Sequence, residues 1–120
     1  RALCTALCAL LFVVACEGAG PVRLKSRSGY TGSAGQRFRF SIGIDRDSKN
    51  RSFCVEWASE ASEGRSCDDL DGDKAPLTFW RDIAFRTGGE FNVIVRVRQN
   101  DDSTVLSNIE TIRILDRPSQ

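Results

Sequence analysis

The clearest signal in this chain is a period of two in its apolar side chains. In residues 36–44, Phe38, Phe40, Ile42 and Ile44 alternate with Arg37, Arg39, Ser41 and Gly43. In residues 90–99, Phe91, Val93, Val95 and Val97 alternate with Asn92, Ile94, Arg96 and Arg98. Successive side chains on a strand point to opposite faces, so this pattern predicts strands with one core face and one wet face. Residues 52–57 continue it, with Phe53, Val55 and Trp57 on one face and Cys54 and Glu56 on the other. Residues 22–25 predict a short first strand, and residues 104–115 a last one with Ile112 and Ile114 inward. Residues 76–85 bring Leu77, Phe79, Trp80, Ile83 and Phe85. Their alternation is imperfect, which predicts a bulge or register change near Trp80.

Between these runs the chain turns. Residues 26–35 are rich in Ser and Gly and predict a loop, residues 45–51 are charged and turn-prone, and Thr87-Gly88-Gly89 and Asn100-Asp101-Asp102-Ser103 are turn sequences. Residues 58–74 are long, polar and without a period, so they predict a loop with one helical turn at most. A loop of that length in a compact domain is either functional or tied down. No amphipathic helix follows the first 20 residues. Six or seven short strands joined by turn signals predict an antiparallel β-sandwich rather than a parallel sheet.

The first 21 residues have another character. Residues 2–15 carry no charge and no proline, and they end in Val13-Val14-Ala15-Cys16. This reads as the lipobox of a bacterial lipoprotein signal peptide: small side chains before the cut, then a thiol to accept lipid. The run is too short for a membrane span, which needs about 20 apolar residues. The expected organisation is a signal peptide over 1–15, an acylated Cys16 and linker over 16–21, one domain over 22–115 and a tail over 116–120. The membrane is then reached through the lipid anchor. Glu17 stands where an aspartate is linked with inner-membrane retention in enteric bacteria, which points outward, to the outer membrane or cell surface.

Removing 15 of 120 residues leaves a size suited to one domain. Cys4, Cys8 and Cys16 belong to the leader or its end, so Cys54 and Cys67 remain for the domain. An exported chain meets an oxidising compartment, and two remaining cysteines are most simply a disulfide. With no histidine, two thiolates do not complete a zinc shell. Seventeen basic and 16 acidic residues lack the basic excess that nucleic-acid binding wants. The charge is unevenly spread: residues 22–42 carry Arg23, Lys25, Arg27, Arg37 and Arg39 with no acid, and residues 68–73 carry four aspartates. Both stretches read first as solvated faces and loops. Arg37 and Arg39 are expected on the opposite sheet from Arg96 and Arg98.

Phe38 to Ile44, Cys54-Val55-Glu56-Trp57, residues 89–97 and residues 107–114 together resemble a bacterial immunoglobulin-like domain. The last two segments are similar to the closing hairpin of the PKD and fibronectin type III relatives of that fold. The resemblance implies an immunoglobulin-like sandwich over about residues 22–115. It also implies a binding or spacer module, because this fold hosts many functions and rarely a catalytic site. Trp57 matches the buried strand-C tryptophan of the family. Phe40 and Val93 stand about where antibody domains place their inter-sheet cysteines, and Phe91 occupies the tyrosine-corner position without a hydroxyl. The Trp-x-Phe-Gly-Asp-Gly signature of PKD domains does not follow Trp57.

Candidate chemistry is sparse. Without histidine, Ser-His and Cys-His nucleophiles are excluded. No catalytic residue, cofactor or metal is expected. The segment Asp69-Leu70-Asp71-Gly72-Asp73 opens like a calcium loop, but Lys74 and Trp80 occupy the positions that need glycine and a bidentate glutamate. Trp80 and Tyr30 are the candidate binding residues, as aromatics for a sugar platform. The expectation is a non-catalytic envelope lipoprotein whose loops, including 58–74, bind a protein or an extracellular polymer. The alternative is a carbohydrate-binding module that uses Trp80 and Tyr30. No nucleic-acid partner is expected.

Overall fold

Period-two patterning becomes two packed sheets. The computed structural model describes residues 20–74 and 77–116, and among these every regular element is a strand. The strands are β1 (Val22–Ser26), β2 (Thr31–Ser33), β3 (Arg37–Ile44), β4 (Asn50–Ala58), β5 (Glu63–Asp69), β6 (Leu77–Ala84), β7 (Gly89–Gln99), β8 (Thr104–Leu106) and β9 (Glu110–Leu115). One sheet has the order β1-β3-β6 and the other β2-β9-β7-β4-β5, with β8 also paired to β7. All pairs are antiparallel except β2 with β9. This is an immunoglobulin-like β-sandwich. The signal segment 1–15, Cys16 and residues 117–120 lie outside the described residues.

The core is built from the inward halves of the alternating runs. Phe38, Phe40, Ile42 and Ile44 of β3 face Phe53 and Val55 of β4 and Phe91, Val93, Val95 and Val97 of β7. Phe85 packs at one end, with ring centroids 4.6 Å from Phe91 and 5.7 Å from Phe38. Among the described residues the buried apolar core runs from Val22 to Ile114. Burial at roughly 25 cal/mol per Å2 of apolar surface is what offsets the chain entropy of so many ordered residues.

Four sequence expectations change. Residues 58–74 are not one irregular loop: Glu63–Asp69 form β5, paired to β4 from Ser52↔Asp69 to Ala58↔Glu63. Its composition hid it, because β5 is an edge strand that is exposed almost throughout and buries no apolar side chain. Thr31–Ser33, inside the expected Ser/Gly loop, form β2. No bulge occurs at Trp80, since β3 and β6 keep one register from Arg37↔Ala84 to Ile44↔Leu77. The expected last strand is two strands. Residues 107–109 separate them, and the pairing with β7 moves by one residue between Arg96↔Leu106 and Val93↔Glu110.

That break has a cause. The Ser107 hydroxyl accepts the Val95 N–H at 2.8 Å and donates to the Asn108 carbonyl at 2.7 Å, so a side chain replaces a rung of the ladder. Asn108 is freed to leave the larger sheet and clasp β1. Its Nδ2 donates to the Leu24 carbonyl at 2.9 Å and its Oδ1 accepts the Leu24 N–H at 2.9 Å. Two residues on, buried Glu110 accepts the Ser26 N–H at 2.8 Å and the Tyr30 hydroxyl at 2.9 Å through Oε1. These side chains sew the free edge of β1 to the second sheet.

The opposite margin, between β5 and β6, is built otherwise. Phe53 stacks on Phe79 with centroids 4.9 Å apart. The Arg81 guanidinium lies 5.3 Å from the Phe53 ring centroid and reaches across to pair with Asp68. Cys54 and Cys67 stand directly opposite one another on β4 and β5 and are bonded. Trp57 shares the inward face with Phe53 and Val55, yet it is only half-buried, unlike the fully buried tryptophan that the resemblance implied. Its indole covers Gly64, where an added Cβ would stand 2.7 Å from the ring.

Candidate functional site

The pairing of β1 and β6 to either side of β3 decides which exposed side chains meet. Outward residues of β3 are Arg37, Arg39, Ser41 and Gly43, those of β1 are Arg23 and Lys25, and those of β6 are Thr78, Trp80, Asp82 and Ala84. Lys25, Ser41 and Trp80 form one row across the sheet. The next row is Arg27, Arg39 and Asp82, because the Arg27 N–H continues the ladder to the Arg39 carbonyl at 2.7 Å. Every cation of the acid-free stretch 22–42 therefore lies on one face. Asp82 is the one acid among the outward residues of these three strands.

Trp80 stands at the β6 border of this face, 51% exposed. The Arg39 guanidinium lies 5.7 Å from its ring centroid, held there by two hydrogen bonds to Asp82, at 3.0 Å from Nε and 3.3 Å from Nη2. The hydrogen bond from Arg39 holds the Asp82 carboxyl below the usual carboxylate range, and the charges of Arg39 and Arg37 act in the same direction. The same hydrogen bond and the Asp82 charge raise Arg39 in return. Tyr30 closes the other border, 42% exposed. Its ring is wet, but Glu110 holds its hydroxyl, and Lys25 Nζ lies 5.7 Å from the ring centroid. The two candidate aromatics thus flank one basic face, with Lys25 and Ser41 between them. Arg27 Nε donates to the Ser41 hydroxyl at 3.2 Å.

The outer face of the larger sheet is different in kind. There Glu56 is shared by Arg96 at 3.2 Å and Arg65 at 4.0 Å, and Glu90 lies 4.0 Å from Arg113. Charges of both signs alternate and neutralise one another. An open groove of about 600 Å3 runs past Trp57, Gly64 and Ile94 at the β4–β5 end of this sheet. Arg96 and Arg98 belong to β7, so they do share no face with Arg37 and Arg39 of β3.

The aspartates of 68–73 do not converge. Asp68 is engaged by Arg81, and Asp71 caps its own turn by accepting the Asp73 N–H at 3.1 Å. Gly72 lets that turn pass the β3–β4 connection, where a Cβ would stand 2.2 Å from the Asp47 carbonyl oxygen. Among the described residues no group of three potential metal ligands occurs.

Sequence reasoning missed Asn108 and Glu110 as structural fasteners. The parity of Glu110 with Ile112 and Ile114 was an available signal that its side chain points inward. It also read the basic stretch as solvated faces and loops, because no local pattern states that β1 pairs with β3 so as to align their odd-numbered cations.

No family model and no curated protein matches this chain. Among solved structures it is similar to the fibronectin(III)-like modules of Clostridium thermocellum CbhA, with a TM-score of 0.48 and 17% identity, over 81% of this chain and 99% of that one.

Proposed function

We propose that this protein is a non-catalytic interaction module of the cell envelope, tethered through an acylated Cys16, and that it binds a protein or an extracellular polymer. The observation that carries the reading is the outer face of the β1-β3-β6 sheet. It holds an indole half-exposed among cations that outnumber its acids. Tryptophan and arginine are the side chains enriched among those that carry binding energy at interfaces, and this face sets them side by side. The binding surface is this sheet face rather than the 58–74 segment, in which Glu63–Asp69 are spent on β5.

A second reading, a carbohydrate-binding module, is favoured by the exposure of both Trp80 and Tyr30. The test is capture with residues 17–120, which contain every buried apolar residue among the described ones, on solubilised envelope proteins and on insoluble polysaccharides. Retention that Trp80→Ala abolishes supports the face; retention unchanged by Trp80→Ala sinks it. The anchor is tested separately in cells. Cys16→Ser is expected to move the protein from the membrane fraction to the soluble fraction, and continued membrane retention of that variant defeats the tether.

A further inference from the structure

We infer that the outer face of the β1-β3-β6 sheet binds a carboxylate-bearing polysaccharide. The inference rests on the polymer-binding reading above and narrows it to one chemical class. Its first support is segregation of charge. The whole chain is balanced to within one charge, yet Arg23, Lys25, Arg27, Arg37 and Arg39 collect on one face, opposed by Asp82 on β6 and by Asp45 just past the end of β3. Arg23 is partly answered by Asp45 at 3.0 Å and Arg39 by Asp82 at 3.0 Å. Arg27 and Arg37 have no ion pair among the described residues. Exposed guanidinium groups present a planar fork of donors that matches a carboxylate.

The second support is the layout. Arg37 and Arg39 are two residues apart on β3, so they follow the strand with a spacing of about 6.8 Å. Arg23, Lys25 and Arg27 follow the neighbouring strand in a second file about 4.8 Å away. Two adjacent files of cations with a common direction suit a linear polyanion laid along the strands. Trp80 beside them offers a π-face for the CH face of a sugar ring. A bilayer surface fits less well, because Trp80 is the single large apolar side chain among the outward strand residues of this face. The other exposed aliphatic residues, Leu106, Ile109 and Leu115, belong to the second sheet or its β8–β9 connection.

The layout also assigns a role to Asp82. It occupies Arg39 in the unliganded protein, so an incoming carboxylate must compete with it. Removing that competitor should tighten binding, a gain that loss of folding cannot imitate.

The experiment is titration of residues 17–120, refolded under oxidising conditions, with polygalacturonate and with alginate at low ionic strength. The controls are methyl-esterified polygalacturonate, cellulose, and vesicles of phosphatidylglycerol and phosphatidylcholine. Binding to the two acidic polymers, weakened by salt, is expected. Arg27→Glu/Arg37→Glu should lower affinity by about tenfold or more, Trp80→Ala by about tenfold, and Asp82→Asn should raise it severalfold, all within the usual range for interface side chains. Equal binding to the methyl ester or to cellulose overturns the carboxylate inference and leaves the polymer-binding reading standing. Binding confined to the vesicles overturns it likewise and reassigns the face. Failure to bind any of these overturns both the inference and the reading on which it rests.

Discussion

The two margins of the sandwich are closed by different means. On the β1 side the chain uses side-chain hydrogen bonds: the Asn108 amide replaces a missing strand neighbour for Leu24, and buried Glu110 collects the Ser26 N–H and the Tyr30 hydroxyl. On the β5–β6 side it uses a covalent bond, a surface ion pair and an indole laid over a glycine. The first margin gives partners to the Leu24 N–H and carbonyl and to the Ser26 N–H on the free edge of β1, as buried backbone polar groups require. The second leaves β5 exposed, pins it covalently to β4 and links it to β6 of the opposite sheet through the surface ion pair of Arg81 with Asp68. A margin that is satisfied by hydrogen bonds resists water. A margin that is covalently pinned can remain wet and still keep its place.

Breaking the sewn margin should cost the most. Glu110→Ala leaves the buried Ser26 N–H without an acceptor and frees Tyr30, and is expected to destabilise by about 3–4 kcal/mol. The urea midpoint of the variant measures this, and an unchanged midpoint would show that Glu110 fastens nothing. Removing the pin by Cys54→Ser/Cys67→Ser reopens a loop whose ends are 13 residues apart, and should cost about 3 kcal/mol in the chain-entropy model. That loss should vanish when both proteins are compared under reducing conditions. Asn108→Ala removes two hydrogen bonds to Leu24 and is expected to cost about 2 kcal/mol, with Leu24 losing amide-exchange protection ahead of the core. Gly64→Ala forces a methyl into the indole of Trp57 and should cost about 1–2 kcal/mol, with a red-shifted Trp57 emission as the ring is displaced into water. The smallest effect is expected from acid. Asp82 has a lowered value in the folded protein, so its contribution is present above the ordinary carboxylate range and is lost as pH falls through the folded value. Asp82→Asn should remove that part of the pH dependence of stability and otherwise change the urea midpoint little.

The contrast also explains what was legible in the sequence. β3, β4 and β7 were, because each lies in the middle of its sheet and must alternate apolar with polar residues. The imperfect alternation around Trp80 suggested a bulge, but the register is regular: Arg81 takes an inward position and uses its stem on Phe53 and Phe79 while its charge reaches Asp68. β5 was illegible because an exposed edge strand has no apolar face to display. The β8–β9 break was illegible because it depends on the Ser107 hydroxyl finding Val95. Of the candidate site, Trp80 and Tyr30 were visible as isolated aromatics. Their common face was not, since it arises from cross-strand pairing between segments that no local pattern connects.

The parallel pairing of β2 with β9 carries a mechanical consequence. Leu24 and Ser26 meet Asn108 and Glu110 in the same order along the chain, and Thr31 to Ser33 meet Arg113 to Leu115 likewise. The chain therefore enters the domain at one end of this seam and leaves it at the other. Tension applied between the two ends pulls the seam lengthwise, so its bonds bear the load together instead of opening one after another. Pulled from its two ends, the domain would load this hydrogen-bonded margin in shear.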